Sequence, residues 1–130
     1  MNLNSTYLPS LNYCSLAIIG LGYVGLPLAD IINKTRISLI NKDLINKKVI
    51  GYDLNETRIK ELKNGFDTNN IISQDDLNIP EKIFFTFDKK YLENIDVFII
   101  TVPTPLQKDN KPDLSFLKSA SKIVGDAIRN

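Results

Sequence analysis

The sequence predicts an α/β domain in which helices cover a parallel β-sheet. Three observations lead to this prediction. Short apolar runs alternate with helical patterns along the chain, a glycine-rich turn joins the first strand to the first helix, and an acidic residue ends the second strand. Strands that alternate with helices form parallel strand–helix–strand units with right-handed crossovers.

The glycine-rich turn is the most informative stretch of the chain. A buried strand is predicted over residues 15–20 and a helix over about 23–33, and Gly20, Gly22 and Gly25 fall between and into them with the spacing G-x-G-x-x-G. Gly20 permits a tight turn, Gly22 permits close approach of a pyrophosphate, and Gly25 permits close packing of the helix on the sheet. In this context the motif predicts a dinucleotide site in a Rossmann-type fold.

The remaining elements continue the alternation, with short helical turns expected within 66–79 and at 89–93. Strands are predicted at 49–52, 82–87 and 96–102, and helices at 54–63 and from residue 113. About four strands are fewer than the usual two-halved sheet contains, so the sheet is expected to be incomplete, with the later strands missing. The domain prediction is an N-terminal arm at 1–14 and a partial nucleotide-binding domain at 15–130, with an insertion at about 34–47. That insertion could continue the first helix or form a separate surface excursion.

Apolar spacing also predicts which helix faces are buried. In the first helix the predicted face consists of Val24, Leu28, Ile31 and Ile32. In the last helix, for which Asp113 is the expected N-cap, it consists of Leu117, Ala120, Val124, Ala127 and Ile128.

Asp53 is the candidate for the residue that binds the cofactor's ribose. It follows the second strand and lies 28 residues after Gly25, against the usual separation of about 20, and the insertion accounts for the excess. A carboxylate there would accept hydrogen bonds from ribose hydroxyls and repel a 2′-phosphate, which favours NAD over NADP. The alternative is that Asp53 caps the following helix, in competition with Asn55. Arg58 could lie over the adenine or meet a phosphate, or it could be a solvated arginine on a helix face.

The fourth strand ends in Val-Pro-Thr-Pro, where ligands of such sheets bind. The hydroxyl of Thr104 could contact the nicotinamide end of the cofactor, or the segment could be a rigid proline turn without a ligand role. Lys108 and Lys111 in the same loop could reach a phosphate, but solvated loop lysines are the favoured interpretation.

Composition narrows the functional classes. The 130 residues carry a net charge of +1 without a dense basic patch, so no nucleic-acid partner is expected. No apolar run approaches 18 residues, so no transmembrane helix and no membrane partner are expected. A single cysteine cannot form an internal disulfide, which suits a cytoplasmic location. Cys14 starts the first strand, at the edge opposite the cofactor crevice, and is interpreted as a structural thiol.

The same residues argue against catalysis or metal binding within this chain. It contains no histidine, the commonest general base and metal ligand. The paired carboxylates Asp75 and Asp76 have no histidine or cysteine beside them, so no metal site is predicted.

Three blocks of sequence, in this order, resemble one enzyme family: GLGYVGLPLA, VIGYDLNETRIKELKNG and VPTPLQKDNKPDLSFLKSA. They resemble the N-terminal NAD-binding domain of the UDP-glucose/GDP-mannose dehydrogenase family. The VPTP and PDLS elements look most like the branch that oxidises UDP-N-acetylhexosamines (UDP-GlcNAc, UDP-ManNAc, UDP-GalNAc) for bacterial surface polysaccharides. The resemblance implies that the backbone at Tyr23 and Val24 meets the NAD pyrophosphate, that Asp53 and Arg58 contact ribose and adenine, and that Thr104 contacts the cofactor.

The resemblance also implies a reaction, the oxidation of a sugar C6 alcohol to a carboxylate in two NAD-dependent steps through a cysteine-linked intermediate. The family's catalytic cysteine and its helpers have no counterpart in this chain, so the fragment alone is expected to be inactive. The UDP-sugar would bind through a missing domain, and the full-length protein is expected to be a homodimer. The alternatives left open are a stand-alone NAD-binding or regulatory module and an inactive remnant of a truncated gene.

Overall fold

Four parallel strands form a single sheet at the centre of the structure. The computed structural model of the protein describes residues 10, 12–78 and 83–128. The strands are β1 (Ser15–Ile19), β2 (Lys48–Tyr52), β3 (Phe84–Thr86) and β4 (Val97–Ile100), in the spatial order β3-β2-β1-β4. This is the order of the first four strands of the dinucleotide-binding sheet, so the predicted fold class is confirmed.

Helices cover both faces of the sheet. They are α1 (Gly25–Lys34), α2 (Glu56–Lys63), the single turn α3 (Gln74–Leu77) and α4 (Ser115–Ile128), with a one-turn 3-10 helix at Lys89–Leu92. Every predicted helix and strand is present, with ends displaced by up to a few residues. Most of the predicted arm, residues 1–9 and 11, and the predicted start of the third strand at Lys82 lie outside the described residues.

The alternating side chains of the strands divide the core in two. Ile18 and Val49 face α1 and α2, together with Leu26, Ile59 and Leu62. Ala17, Ile19, Ile50 and Tyr52 face α4 and the 3-10 helix, where they meet Leu92, Ala120 and Ile123. Because successive residues of a strand point to opposite faces, an uninterrupted apolar run such as β1 is needed to fill both halves.

The buried face of α1 differs from the predicted one. Val24 and Ile31 are 65% and 62% exposed, whereas Gly25, Leu26, Ala29 and Asn33 are buried. Of the predicted face, Leu28 and Ile32 pack against the core at its margin. The prediction was wrong because it followed the large aliphatic residues, while small residues allow the helix to approach the sheet.

The buried face of α4 also differs in part. Ala120 and Ile123 are buried, and Val124 and Ala127 pack beside them. Leu117 and Ile128 remain 38% and 68% exposed, and Ile123 was absent from the predicted face. Asp113, the predicted N-cap, lies one residue before the N-cap position, since the helix begins at Ser115, but it accepts a hydrogen bond from the backbone N–H of Ser115 (2.9 Å) and so holds the start of the helix.

The segment that was predicted to be an insertion forms a surface hairpin and does not continue α1, which ends at Lys34. Ile37 and Leu44 pair as an isolated antiparallel bridge, and the N–H of Ile45 donates to the carbonyl of Arg36 (2.8 Å). We call residues 36–45 the hairpin. In the described parts of the chain, no helix combines the length and apolar character needed to cross a membrane.

Candidate cofactor site

A cleft of about 630 Å³ opens at the carboxyl ends of β1, β2 and β4 and is closed on one side by α4. Its floor comes from the ends of the three strands, and one wall comes from the first two turns of the helix. The residues that line it are Ile19, Gly20, Leu21, Gly22, Tyr52, Asp53, Leu54, Asn55, Thr101, Val102, Pro103, Ser115, Phe116, Ser119, Ala120 and Ile123. Ligands of open α/β sheets bind in this place.

The glycine turn is held from the neighbouring strands. Gly20 has a φ of +98°, which a residue with a side chain rarely adopts, and its N–H donates to the carbonyl of Tyr52 (2.8 Å). The Thr101 hydroxyl donates to the Gly20 carbonyl (2.8 Å). A Cβ atom on Gly25 would fall on the Gly20 carbonyl oxygen and on the Thr101 hydroxyl, so only glycine fits where the helix meets the turn.

The turn leaves room for an anion at the start of α1. A Cβ atom on Gly22 would meet nothing within 4 Å, so this backbone faces open space. No side chain caps α1 at Val24, and the N–H groups of Leu26 and Leu28 donate to the carbonyls of Gly22 (3.1 Å) and Val24 (3.2 Å). The positive end of the helix dipole, beside the open space at Gly22, favours a phosphate. The tight turn at Gly20 and the close packing at Gly25 agree with the prediction, and the approach of a pyrophosphate to Gly22 stays a prediction.

Asp53 lies at the rim of this turn. One carboxylate oxygen accepts from the N–H of Leu21 (2.8 Å), and the other accepts from the N–H of Asn55 (2.9 Å). Asn55, and not Asp53, is the N-cap of α2, since its side chain accepts from the N–H of Arg58 (3.2 Å). The carboxylate is thus fixed between the glycine turn and the cleft, with further lone pairs for a ligand.

Arg58 is buried rather than solvated, with 7% of its surface exposed. Its Nε donates to the carbonyl of Leu21 (3.3 Å), and its Nη1 donates to Asp67 (2.6 Å). Its Nη2 is buried and has no hydrogen-bond partner among the described residues. Arg58 therefore lies behind the glycine turn and supports it from α2.

Asp67 completes this support. Its burial opposes ionisation, yet hydrogen bonds from the N–H of Ile72, the Arg58 guanidinium and the N–H of Ile71 outweigh it and hold the pKa of Asp67 below its usual range. The two N–H contacts are 3.0 Å and 2.7 Å long, so the same carboxylate also orders the loop that follows α2. A buried, ionised pair links this loop through Arg58 to the cofactor turn.

The other predicted site residues lie outside the lining of the cleft. Tyr23 and Val24 follow Gly22 and are 77% and 65% exposed. Thr104 is exposed three residues beyond Thr101. Their contacts with a cofactor remain predictions.

Several residues of the cleft were missed in the sequence. Thr101 joins the ends of β1 and β4, and Leu54 and Phe116 supply partly exposed apolar surface. Tyr52 forms part of the floor with a buried hydroxyl that has no partner among the described residues. Burial raises the pKa of Tyr52, as do the nearby charges of Asp53 and Asp88. In the sequence, the Val-Pro end of the fourth strand indicated that this strand end lies at the cleft. No sequence pattern indicated that α4 lines the cleft as well.

Cys14 is buried just before β1, at the end of the sheet opposite the cleft, as predicted. Within the described residues no three histidine, cysteine, aspartate or glutamate side chains come together to hold a metal ion. For binding a ligand, the described residues of the cleft supply the backbone of the glycine turn, one carboxylate and apolar side chains.

The strand order, the glycine turn and the carboxylate at the end of β2 define a dinucleotide-binding domain. The chain belongs to the UDP-glucose/GDP-mannose dehydrogenase family, whose NAD binding domain matches residues 14–130. The family resemblance of the three sequence blocks is thereby confirmed, and the cofactor of the domain is NAD.

Relatives with known names support this placement. Protein CapL of Staphylococcus aureus is 45% identical over 114 residues, which cover 88% of this chain and 24% of CapL. The UDP-N-acetyl-D-glucosamine 6-dehydrogenase of Pseudomonas aeruginosa is 38% identical over 114 residues, again 88% of this chain and 24% of the relative. The chain thus spans about a quarter of the length of these relatives.

Solved structures show the same fold. A UDP-D-ManNAc dehydrogenase from Pyrococcus horikoshii superimposes with a TM-score of 0.68 at 30% identity, over 87% of this chain and 25% of the other. A ternary complex of GDP-mannose dehydrogenase from Pseudomonas aeruginosa gives 0.71 at 27% identity, over 88% and 25%. The chain therefore corresponds to about a quarter of the length of each of these two dehydrogenase chains.

Proposed function

We propose that this chain is the NAD-binding portion of a nucleotide-sugar 6-dehydrogenase. The whole enzyme would oxidise the C6 alcohol of a UDP-sugar to a uronate in two NAD-dependent steps, for surface polysaccharide biosynthesis in the cytoplasm. The sugar class is inferred from relatives named UDP-N-acetyl-D-glucosamine 6-dehydrogenase and UDP-N-acetyl-D-mannosamine dehydrogenase. The UDP-sugar substrate and a homodimeric state are proposals for the full-length protein.

The observation that carries the proposal is the position of Asp53. Its carboxylate is held 2.8 Å from the N–H of Leu21, within the glycine turn, and faces the cleft. An ionised carboxylate so placed accepts hydrogen bonds from both hydroxyls of an adenosine ribose, whereas a 2′-phosphate would meet its negative charge. The turn at Gly22 and the start of α1 receive the pyrophosphate. Further cofactor contacts are proposed for Tyr23, Val24, Arg58 and Thr104.

The separate roles of cofactor and protein follow from the groups that this domain contains. NAD supplies the hydride acceptor, and this domain binds and orients it. The one cysteine of the chain, Cys14, is buried at the far end of the sheet, so it cannot act as a nucleophile in this cleft. We therefore propose that the 130-residue chain binds NAD and does not oxidise a UDP-sugar alone.

Calorimetric titration of the chain with NAD and NADP tests the binding proposal. Wild type is expected to bind NAD more tightly than NADP. Asp53→Asn should bind NAD about 10-fold or more weakly, since charge-assisted hydrogen bonds contribute about 1.5–3 kcal/mol, and should discriminate less against NADP. Asp109→Asn, in an exposed loop, is the matched control and should bind as wild type does. A folded wild-type chain that releases no heat with NAD refutes the function, and equal NAD affinity in Asp53→Asn refutes the ribose role.

A further inference from the structure

The hairpin presents an apolar tip that nothing in the described chain covers. Leu39 and Ile40 at its turn are 86% and 90% exposed, and the bridged pair Ile37 and Leu44 are 54% and 75% exposed. Single exposed aliphatic residues are common on protein surfaces, but here four fall within the eight residues 37–44 of one hairpin. Exposed apolar patches indicate contact with a protein or a membrane.

The tip is an ordered structure with its own hydrogen bonds. The N–H of Ser38 donates to the carbonyl of Asp43 (2.9 Å), and the N–H of Lys42 donates back to the carbonyl of Ser38 (3.0 Å). Lys42 adopts a φ of +62°, which closes the turn. Since these backbone groups are paired internally, the tip can leave water at a lower cost than an open loop could.

Its base is anchored to the domain. Ile45 is buried, and the N–H of Asn46 donates to the carbonyl of Asn12 (2.8 Å), next to the start of β1. The hairpin thus projects from the amino ends of the strands, whereas the cofactor cleft lies at their carboxyl ends. Both surfaces can be occupied at the same time.

Positive charges accompany the apolar tip. Lys42 lies on the turn, and Lys47 and Lys48 follow the hairpin; none of the three forms an ion pair within the described residues. The carboxylate of Asp43 accepts from the amide of Asn41 (2.7 Å) within the turn. Residues 39–48 thus combine exposed apolar side chains with three lysines and one aspartate, which complements a lipid surface that is apolar inside and anionic at its headgroups.

We propose that the hairpin is a peripheral binding site for an anionic lipid bilayer. Leu39 and Ile40 enter the interface between headgroups and acyl chains, and the lysines contact the headgroups. The expectation that the chain has no membrane partner rested on the lack of a spanning segment, and contact at the surface requires none. The lysines favour an anionic surface over a second copy of the chain, because pairing of two hairpins would bring like charges together.

Sedimentation with vesicles tests the proposal. The wild-type chain is expected to bind vesicles that contain phosphatidylglycerol and to bind pure phosphatidylcholine vesicles far less, with loss of binding at high salt. Leu39→Ser combined with Ile40→Ser should weaken binding at least 10-fold, since each buried methylene contributes about fourfold. Lys42→Gln and Lys48→Gln should each weaken it about fivefold.

Matched controls keep the test specific. Leu106→Ser combined with Ile128→Ser removes equally exposed aliphatic residues from other surfaces and should leave vesicle binding unchanged. Thermal unfolding should be the same for the tip variants and wild type, because the altered side chains make no core contacts. Absence of wild-type binding to anionic vesicles overturns the proposal, as does equal binding by the tip variant. Self-association that the tip variant abolishes, seen by ultracentrifugation without lipid, would instead assign the patch to a protein interface.

Discussion

The buried pair between Arg58 and Asp67 is expected to stabilise both the fold and the cofactor turn. Asp67 is 6% exposed and accepts from the Arg58 guanidinium at 2.6 Å as well as from backbone N–H groups of its own loop. Asp67→Ala would leave a buried guanidinium without its main partner, and removing one member of such a pair costs about 3–5 kcal/mol. Glu61 lies 3.7 Å from the same Nη1 and can compensate in part, so we expect a loss of about 3 kcal/mol in the free energy of unfolding.

That loss is large for a domain of this size. A chain of 130 residues has a free energy of unfolding of roughly 6–20 kcal/mol, and 3 kcal/mol lowers the midpoint of thermal unfolding by about 10 °C. Thermal and urea unfolding followed by circular dichroism would measure it. Because the Nε of Arg58 donates to the carbonyl of Leu21, NAD affinity should also fall in the folded variant.

The control is the exposed pair between Lys111 and Asp109, with side chains 78% and 52% exposed. Asp109→Ala should change the free energy of unfolding by less than about 0.5 kcal/mol. An Asp67→Ala variant as stable as Asp109→Ala would show that the buried pair is dispensable. A double-mutant cycle with Arg58→Met would then give a coupling energy near zero, whereas a stabilising buried pair gives a coupling energy of about 0.5–3 kcal/mol.

Three further outcomes follow from the same geometry. Gly25→Ala should fail to bind NAD and unfold far more readily, because its Cβ would occupy the space of the Gly20 carbonyl; a variant that melts like wild type would contradict the close packing. Gly125→Ala, where a Cβ would meet nothing within 4 Å, should raise the free energy of unfolding by about 1 kcal/mol, since alanine favours the helix; a lower melting temperature would disprove this. The third outcome is the dependence of stability on pH. The pKa of Asp67 is lower in the folded than in the unfolded chain. The contribution of Asp67 to the free energy of unfolding is therefore complete above the usual carboxyl pKa and is lost as the pH falls through the pKa of the folded chain. Asp67→Asn should therefore show a shallower fall in melting temperature between about pH 5 and pH 2 than wild type, and parallel curves would exclude Asp67 as the titrating group.

The fold was predictable because the signals for it are local. Each strand is a short apolar run bounded by polar or turn residues, and the glycine spacing lies within one strand–turn–helix unit. The buried face of α1 was not predictable, since Val24 and Ile31 fit helical spacing as well as Leu26 and Ala29 do. The choice between those faces depends on how closely the helix approaches β1, and Gly25 sets that approach in three dimensions.

The site was predictable where it lies at strand ends. Gly20, Gly22 and Asp53 come together because carboxyl ends of adjacent parallel strands share one edge. The burial of Arg58 depends on Asp67, which belongs to a polar segment that reads as a surface loop. Thr101 and Phe116 reach the cleft only through pairing of β4 with β1 and the return of the chain into α4. These contacts join distant parts of the sequence, and no local pattern reports them.

Three hydrogen bonds from side chains to the backbone of the glycine turn bear on how fast NAD can bind. Thr101 holds the Gly20 carbonyl, Asp53 holds the N–H of Leu21, and Arg58 holds the carbonyl of Leu21. A turn that is already in its binding conformation loses little backbone entropy when the ligand arrives, and its association needs no slow rearrangement. In stopped-flow mixing with excess NAD, the observed rate constant of binding should therefore rise linearly with NAD concentration and reach no plateau, as is expected for binding in a single step.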